Sequence, residues 1–223
     1  MSCMPRIRGD GVHYHIILRC NNKERLFKSG EDFERLLLFL RNEKQKFGFK
    51  LYNYEFLHAH IHLMISTHGA FLIDQIMHEI CLKYSKDFNR RHKRSGHLWA
   101  HRYRSRVILD DHHGLACLRY QHRNTTTAGI VARPEDWFWS GYNYYAFGIP
   151  NDLLEPHPSY LGLSENAEQR CKFYRTLVNT AIPSDKVPNI LERGNGSLTR
   201  RFIVMVNQVS SLKLKIESTS FAT

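Results

Sequence analysis

The 223-residue chain has few cysteines and no arrangement of them that would staple a fold. Cys3, Cys20, Cys81, Cys117 and Cys171 are odd in number and include no C-x-x-C pair, which argues against a disulfide framework or a zinc ribbon and for reduced thiols. Long apolar runs are also missing. None approaches the roughly 20 residues a membrane helix needs, and Met1 to Asp10 is polar and basic, so the expectation is a soluble, cytoplasmic protein. Acidic side chains are scarce beside basic ones: 21 Asp and Glu against 32 Lys and Arg leave a formal charge of +11. That surplus points to a polyanionic partner, of which nucleic acid is the commonest, because each neutralised phosphate releases counterions. Hydrophobic residues at 42% exclude a disordered or fibrous chain, and the length allows one domain with a tail.

What is present is patterned. Val12 to Cys20 alternates, with Val12, Tyr14, Ile16, Ile17 and Leu18 giving the texture of a strand that lays one face on a core. Ser29 and Asp32 form an S-x-x-D capping box. Phe33, Leu36, Leu37, Leu40 and Phe47 then recur at helical spacing, which predicts a helix from about Glu31 to Phe47 that stops near Gly48. Leu51 to Leu57 and Ile61 to Thr67 read as two strands, either a hairpin or one long bent strand. Ile73, Ile76, Ile80, Tyr84 and Phe88 mark a second helix from Ala70 to about Arg91, whose last turns carry Lys83, Lys86, Arg90 and Arg91 and could meet phosphate. Tyr103 to Leu109 reads as a fourth strand with Arg102, Arg104 and Arg106 on one face, where three arginines would not point into a core. Asp111 is the expected N-cap of a third helix from His112 to about Asn124.

Strand, helix, strand, strand, helix, strand is the order of the ferredoxin-like split unit. The expectation is therefore an α+β fold with an antiparallel sheet, two helices on one face, and a further helix following the unit. The second sheet face is then free to floor an active site. After Gly148 the pattern is interrupted by Pro150, Pro156, Pro158, Pro183 and Pro188, and Ser210 to Thr223 is rich in serine. We place a core domain at residues 1–148 and a helical or irregular extension at 149–223.

Two constellations could carry chemistry. On a strand, side chains two apart share a face at about 6.6 Å, so His60 and His62 can aim at one cation while Ile61, Leu63 and Ile65 fill the core face. A chain with fourteen histidines also produces such a spacing by chance. On the third helix, Tyr120 and Asn124 are one turn apart on one face, so a phenol and an amide can reach one site together. Tyr120 also shares a face with Ala116 and Cys117, which fits a core position equally well.

Five segments, in order, resemble the single-tyrosine HUH transposases and in particular the REP-associated tyrosine transposases. Tyr14 to Phe27 (YHIILRCNNKERLF) resembles the first strand and R-G-N-N-R segment of that family. Phe56 to Ile65 (FLHAHIHLMI) resembles M-P-N-H-V-H-L-L and aligns His60 and His62, not His58, with its histidine pair. Gly96 to Ser105 (GHLWAHRYRS), Tyr120 to Asn124 (YQHRN) and Pro134 to Tyr142 (PEDWFWSGY) resemble G-x-L-W-Q-x-R-Y-x-S, Y-I-H-L-N and P-E-D-Y-P-W-S-S-Y. The departures are His58-Ala59 in place of Pro-Asn, and Thr125 where Asn-Pro would follow. The likeness runs from about Val12 to Tyr145.

The resemblance implies a metal-dependent, single-stranded DNA endonuclease and strand transferase that cleaves and rejoins hairpin-containing DNA. Tyr120 would be the nucleophile, forming a 5′-phosphotyrosine link, and His60, His62 and Asn124 would hold one divalent cation, Mg²⁺ with Mn²⁺ as substitute. Arg102, Arg104, Arg106, Lys83, Lys86, Arg90, Arg91, Arg6 and Arg8 are expected to hold phosphates, and Tyr103 to stack on unpaired bases. The implied partner is a single-stranded or hairpin DNA of repetitive extragenic palindrome type, met in the nucleoid by a monomer more readily than by a homodimer. Trp99 and Trp137 are expected in the core and His122 away from the site. The alternative is a non-catalytic, domesticated single-strand nucleic-acid-binding protein on the same fold.

Overall fold

The computed structural model describes residues 7–180, the side chain of Lys23 apart. Arg6, one of the expected DNA contacts, lies outside the described residues, as do Pro183, Pro188 and everything from residue 181 onward.

Period-two alternation places the first strand. β1 (His13–Arg19) sends Tyr14, Ile16 and Leu18 to one face and His13, His15, Ile17 and Arg19 to the other. α1 (Gly30–Phe47) starts at the capping box, where the Asp32 carboxylate accepts the backbone N–H of Lys28 at 2.8 Å and of Ser29 at 3.2 Å, and it stops at Gly48 in the left-handed conformation (φ +66°). β2 (Lys50–Phe56) and β3 (His60–Ser66) form a hairpin, not one bent strand. α2 (Ile73–Arg91) begins three residues later than its pattern suggested, and β4 (Arg104–Val107) is shorter than expected. The strands lie in the order β2-β3-β1-β4, every pair antiparallel, which is the ferredoxin-like arrangement. α1 and α2 cover the face that carries Tyr14, Ile16, Leu18, Ile61, Leu63 and Ile65.

α3 (Asp111–Thr127) lies on the second face. Its N-cap is Asp110, one residue before the expected cap. Asp110 Oδ1 accepts the N–H of His113 at 2.8 Å, whereas Asp111 is already helical and takes the Ser159 hydroxyl at 3.1 Å. The helix also runs past Asn124 to Thr127. α4 (Tyr142–Phe147), α5 (Pro158–Leu161) and α6 (Ala167–Asn179) pack around α3, with Tyr142, Tyr145, Tyr160, Tyr174 and Val178 buried in one cluster with Cys117 and Leu118. Arg119 donates to the carbonyls of Leu177 and Thr180 at 2.8 and 2.6 Å, so a cation closes the carboxyl end of α6, where helix carbonyls lack partners. Among the described residues no helix is long and apolar enough to cross a membrane.

A bulge in β2 decides which of its side chains meet α3. Leu51 pairs with Ile65 but Asn53 pairs with Met64, so Tyr52 is the extra residue and the phase of the strand flips after it. Asn53 and Glu55 consequently share the face of Met64 and His62, while Tyr54 and Phe56 face α1 and α2.

α3 and α5 approach closely because residue 114 has no side chain: a Cβ there would stand 2.3 Å from Ser159 Oγ and 2.6 Å from His157 Cε1. Gly114→Ala is expected to destabilise the fold by about 1–3 kcal/mol through overpacking. A thermal melt checks it, and an unchanged Tm would show that α5 yields at no cost.

Candidate active site

β3 begins at His60, so His60 and His62 stand on the same face with ring centroids 5.1 Å apart and planes at 75°. His58 falls in the preceding turn, where its ring meets Trp137 edge-on. Burial first, and then the Arg19 guanidinium, hold the His60 pKa down at about 4. Burial, and then His15, His60 and Arg19, hold His62 well below the ordinary histidine range. Both rings are neutral at pH 7, the state in which a ring nitrogen offers a lone pair to a metal.

His15 on β1 completes the pair from behind. Its Nε2 lies 2.9 Å from His62 Nδ1 and the two rings stack at 5.1 Å, both of them buried. The other ring nitrogen of His62, Nε2, is buried and among the described residues has no hydrogen-bond partner. When Nδ1–H of His62 donates to His15, Nε2 is left with its lone pair directed into the site. Burial keeps His15 itself neutral, with a pKa of about 3.

α3 brings the phenol. The Tyr120 ring stands 5.8 Å from His62 and 6.0 Å from His15, and Asn124 lies one turn further along the same face of α3. Burial raises the Tyr120 pKa, opposed by the neighbouring Asn124 side chain and the guanidinium groups of Arg19 and Arg106. Among the described residues the buried Asn124 Nδ2 atom has no hydrogen-bond partner. Two neutral imidazoles, one with an unpaired buried nitrogen, and an adjacent amide form a donor set that fits a divalent cation. Among the described residues no group of three His, Cys, Asp or Glu is arranged to hold a metal.

Glu55 is the residue that sequence reasoning missed on this face. It pairs in register with His62, is fully buried, and accepts the Ser140 hydroxyl at 2.5 Å, with the Thr125 hydroxyl of α3 nearby. Burial, opposed by those two hydroxyls, pushes its pKa up to about 8. No sequence signal marked it, because the bulge that turns it toward α3 has no motif. His15 and Arg19 did have a signal, the polar half of the alternation in β1. Deeper under α3, His122 points away from the site as expected: Nε2 lies 2.9 Å from Asn53 Oδ1 and Nδ1 2.6 Å from the Tyr174 hydroxyl.

The expected DNA contacts divide between two layers. Arg104 and Arg106 pair with Ile17 and His15 and so share the face of Tyr120. Arg102 precedes β4 and lines a groove beside α2 with Arg8, Lys46 and His78, away from its supposed companions. Arg8 pairs with Asp74 at 2.9 Å, Lys83 with Glu43 at 2.6 Å, Arg90 with Asp87 at 3.0 Å, and Arg91 with Asp32 and Asp87 at 2.5 and 2.7 Å. The basic end of α2 therefore braces α1 on the layer opposite the tyrosine, and only Lys86 there stands exposed and unpaired. Tyr103 is a correction: at 8% exposure it belongs to the core under α2 and offers no ring for a base to stack on. Trp99 and Trp137 pack at the core edge as expected, their indole N–H groups donating to the carbonyls of Cys81 and Phe56.

A ferredoxin-like sheet floored by a histidine pair and roofed by a tyrosine helix is the layout of a single-tyrosine transposase. Residues 10–120 match the family described as Transposase IS200 like, and the chain belongs to that family. Its fold is similar to that of a REP-associated tyrosine transposase solved bound to a REP hairpin, with 18% identity over 70% of this chain and 93% of that one and a TM-score of 0.57. A Deinococcus radiodurans R1 protein named as a transposase gives 15% identity over 58% of this chain and 91% of that one, with a TM-score of 0.38. No curated protein matches the chain in sequence. The family is generally metal-dependent.

Glu55 sets a pH dependence whose sign is fixed. Its native pKa lies above the value of 4.5 for a free side chain, so between 4.5 and about 8 the native protein holds a proton that the unfolded chain releases. The stability it contributes is full below pH 4.5 and is lost as pH rises through about 8. Glu55→Gln is expected to gain Tm over the unaltered protein as pH rises from 5 to 8.5. Melts of the two proteins across that range test it; a constant gap would show that Glu55 is ionised in the fold.

Proposed function

We propose that this protein nicks and rejoins single-stranded, hairpin-forming DNA, with Tyr120 as the nucleophile. The observation that carries the reading is the placement of the Tyr120 ring 5.8 Å from His62, with His60 on the same strand face, Asn124 one helical turn from Tyr120, and the buried Nε2 of His62 unpaired among the described residues. Phenols are common in cores, but a phenol beside a neutral histidine pair is suited to phosphoryl transfer.

His60, His62 and Asn124 would hold the divalent cation, Mg²⁺ with Mn²⁺ as substitute, which when bound supplies Lewis-acid polarisation of the scissile phosphate. The remaining chemistry belongs to the chain. The Tyr120 oxygen attacks phosphorus, the bond from phosphorus to the 3′-oxygen breaks, and that oxygen leaves with the electron pair and takes up a proton. The phosphodiester energy stays in the 5′-phosphotyrosine link, so a 3′-hydroxyl can later reverse the step without ATP. Burial holds the proton on Tyr120 until attack. His15 keeps the His62 ring in one orientation and tautomer. Arg104 and Arg106 border the same face and would hold the DNA backbone.

Two experiments test this. Hairpin-forming single strands from the genomic neighbourhood, labelled at either end and incubated with Mn²⁺, are expected to yield a protein-linked 5′ product on a denaturing gel, absent with Tyr120→Phe or with chelator. Cleavage surviving in Tyr120→Phe would indicate a hydrolase using water, and binding without cleavage a DNA-binding protein. Separately, His15→Ala is expected to weaken Mn²⁺ binding by about 10- to 100-fold, as loss of a partner to a ligating histidine does, with His15→Gln recovering part of it. Calorimetry with Mn²⁺ alone reads the effect, and equal affinities would remove His15 from the site.

A further inference from the structure

Arg19 closes β1 directly opposite His60 in the β1–β3 register. Residues opposite one another in an antiparallel pair project from the same face with Cβ atoms about 5 Å apart, so the guanidinium starts beside the histidine pair. Its backbone is pinned: the Arg19 carbonyl accepts the N–H of Ala100 at 2.9 Å, and the next residue donates to the Ala59 carbonyl at 2.8 Å. The side chain is exposed and, among the described residues, has no hydrogen bond or ion pair. That sets it apart from Arg8, Arg35, Arg41, Arg91, Arg94 and Arg133, each of which meets a carboxylate. Its charge lies within electrostatic reach of His60, His62 and Tyr120 alike. A free guanidinium at the meeting point of the tyrosine and the metal-binding pair is a ready receptor for a phosphate oxygen, and its planar fork suits two oxygens at once.

We infer that Arg19 is a catalytic residue that donates hydrogen bonds to a non-bridging oxygen of the scissile phosphate as Tyr120 attacks. The inference rests on the nicking and joining reading and adds to it a specific receptor for the reacting phosphate. As the bond from the Tyr120 oxygen forms and the bond to the 3′-oxygen breaks, charge on the non-bridging oxygens is met by a positioned cation already in place.

With a hairpin oligonucleotide on which the unaltered protein forms its tyrosine adduct, Arg19→Ala is expected to slow adduct formation at saturating DNA by about 100- to 1,000-fold, the usual effect of removing one such donor. Added guanidinium should restore part of the rate, and Arg19→Lys should fall between. Weaker DNA binding with an unchanged rate at saturation would overturn the inference, making Arg19 a contact to a non-reacting phosphate. A second measurement does not depend on cleavage. In ¹⁵N-labelled Tyr120→Phe protein with Mg²⁺, the Arg19 Nε–Hε resonance is expected to shift on titration with inorganic phosphate, and absence of a shift overturns the inference. A shift in a protein that forms no adduct on any hairpin would leave the phosphate receptor standing and sink the nicking reading instead.

Discussion

The pairing register of β1 with β3 is the constraint on which the rest depends. Ile16 faces Leu63 and Ile17 faces His62, so on β1 and β3 one side carries Tyr14, Ile16, Leu18, Ile61, Leu63 and Ile65 and the other carries His13, His15, Arg19, His60 and His62. Slipping the register by one residue would press imidazoles into the core under α1 and α2 and turn Leu63 toward α3. The apolar face thus locates the polar one. Burial of Ile61, Leu63 and Ile65 is what sets the histidines at a fixed height below Tyr120.

Burial also settles the charge state of the site. His15, His62, His122 and Glu55 are all buried, and desolvation is the largest influence on each, always in the direction of the neutral form. Neutral groups can be stacked and hydrogen-bonded in close quarters where charged ones would repel, and so Asn53, His122 and Tyr174 can bridge β2, α3 and α6 in one buried chain. The helix that carries Tyr120 is held to the sheet from below by this chain and by the Asn53 amide, which donates to Gln121 at 2.8 Å. Such bracing would hold Tyr120 in place for the role proposed for it.

A net charge of +11 says little about where cations work. On the layer of α1 and α2 they are spent in ion pairs with Asp32, Glu43, Asp74 and Asp87. On the layer of α3, Arg19 and Arg104 make no such pair among the described residues, although their number is smaller. The proposed DNA contacts draw on the second group, since only an uncommitted cation is available to a phosphate.

Much of this was legible in one dimension. Alternation in Val12 to Cys20, the capping box at Ser29, the helical spacing of Ile73 to Phe88, and the i, i+2 and i, i+4 spacings of His60–His62 and Tyr120–Asn124 each report local geometry, which neighbouring residues dictate. The resemblance, carried by short segments in order, supplied the chemistry those spacings left open. What stayed hidden depends on distant residues. The bulge after Leu51 turns Glu55 inward, Asp110 takes the cap from Asp111, Tyr103 is covered by α2, and Lys83 and Arg91 find their acids 40 and 59 residues away. The sequence by itself determined the strands, the helices and the reactive side chains, because backbone periodicity and capping are short-range. Only the tertiary structure decided which cations stay free and which histidine backs the site, because ion pairing and desolvation are set by what folding brings across the sheet.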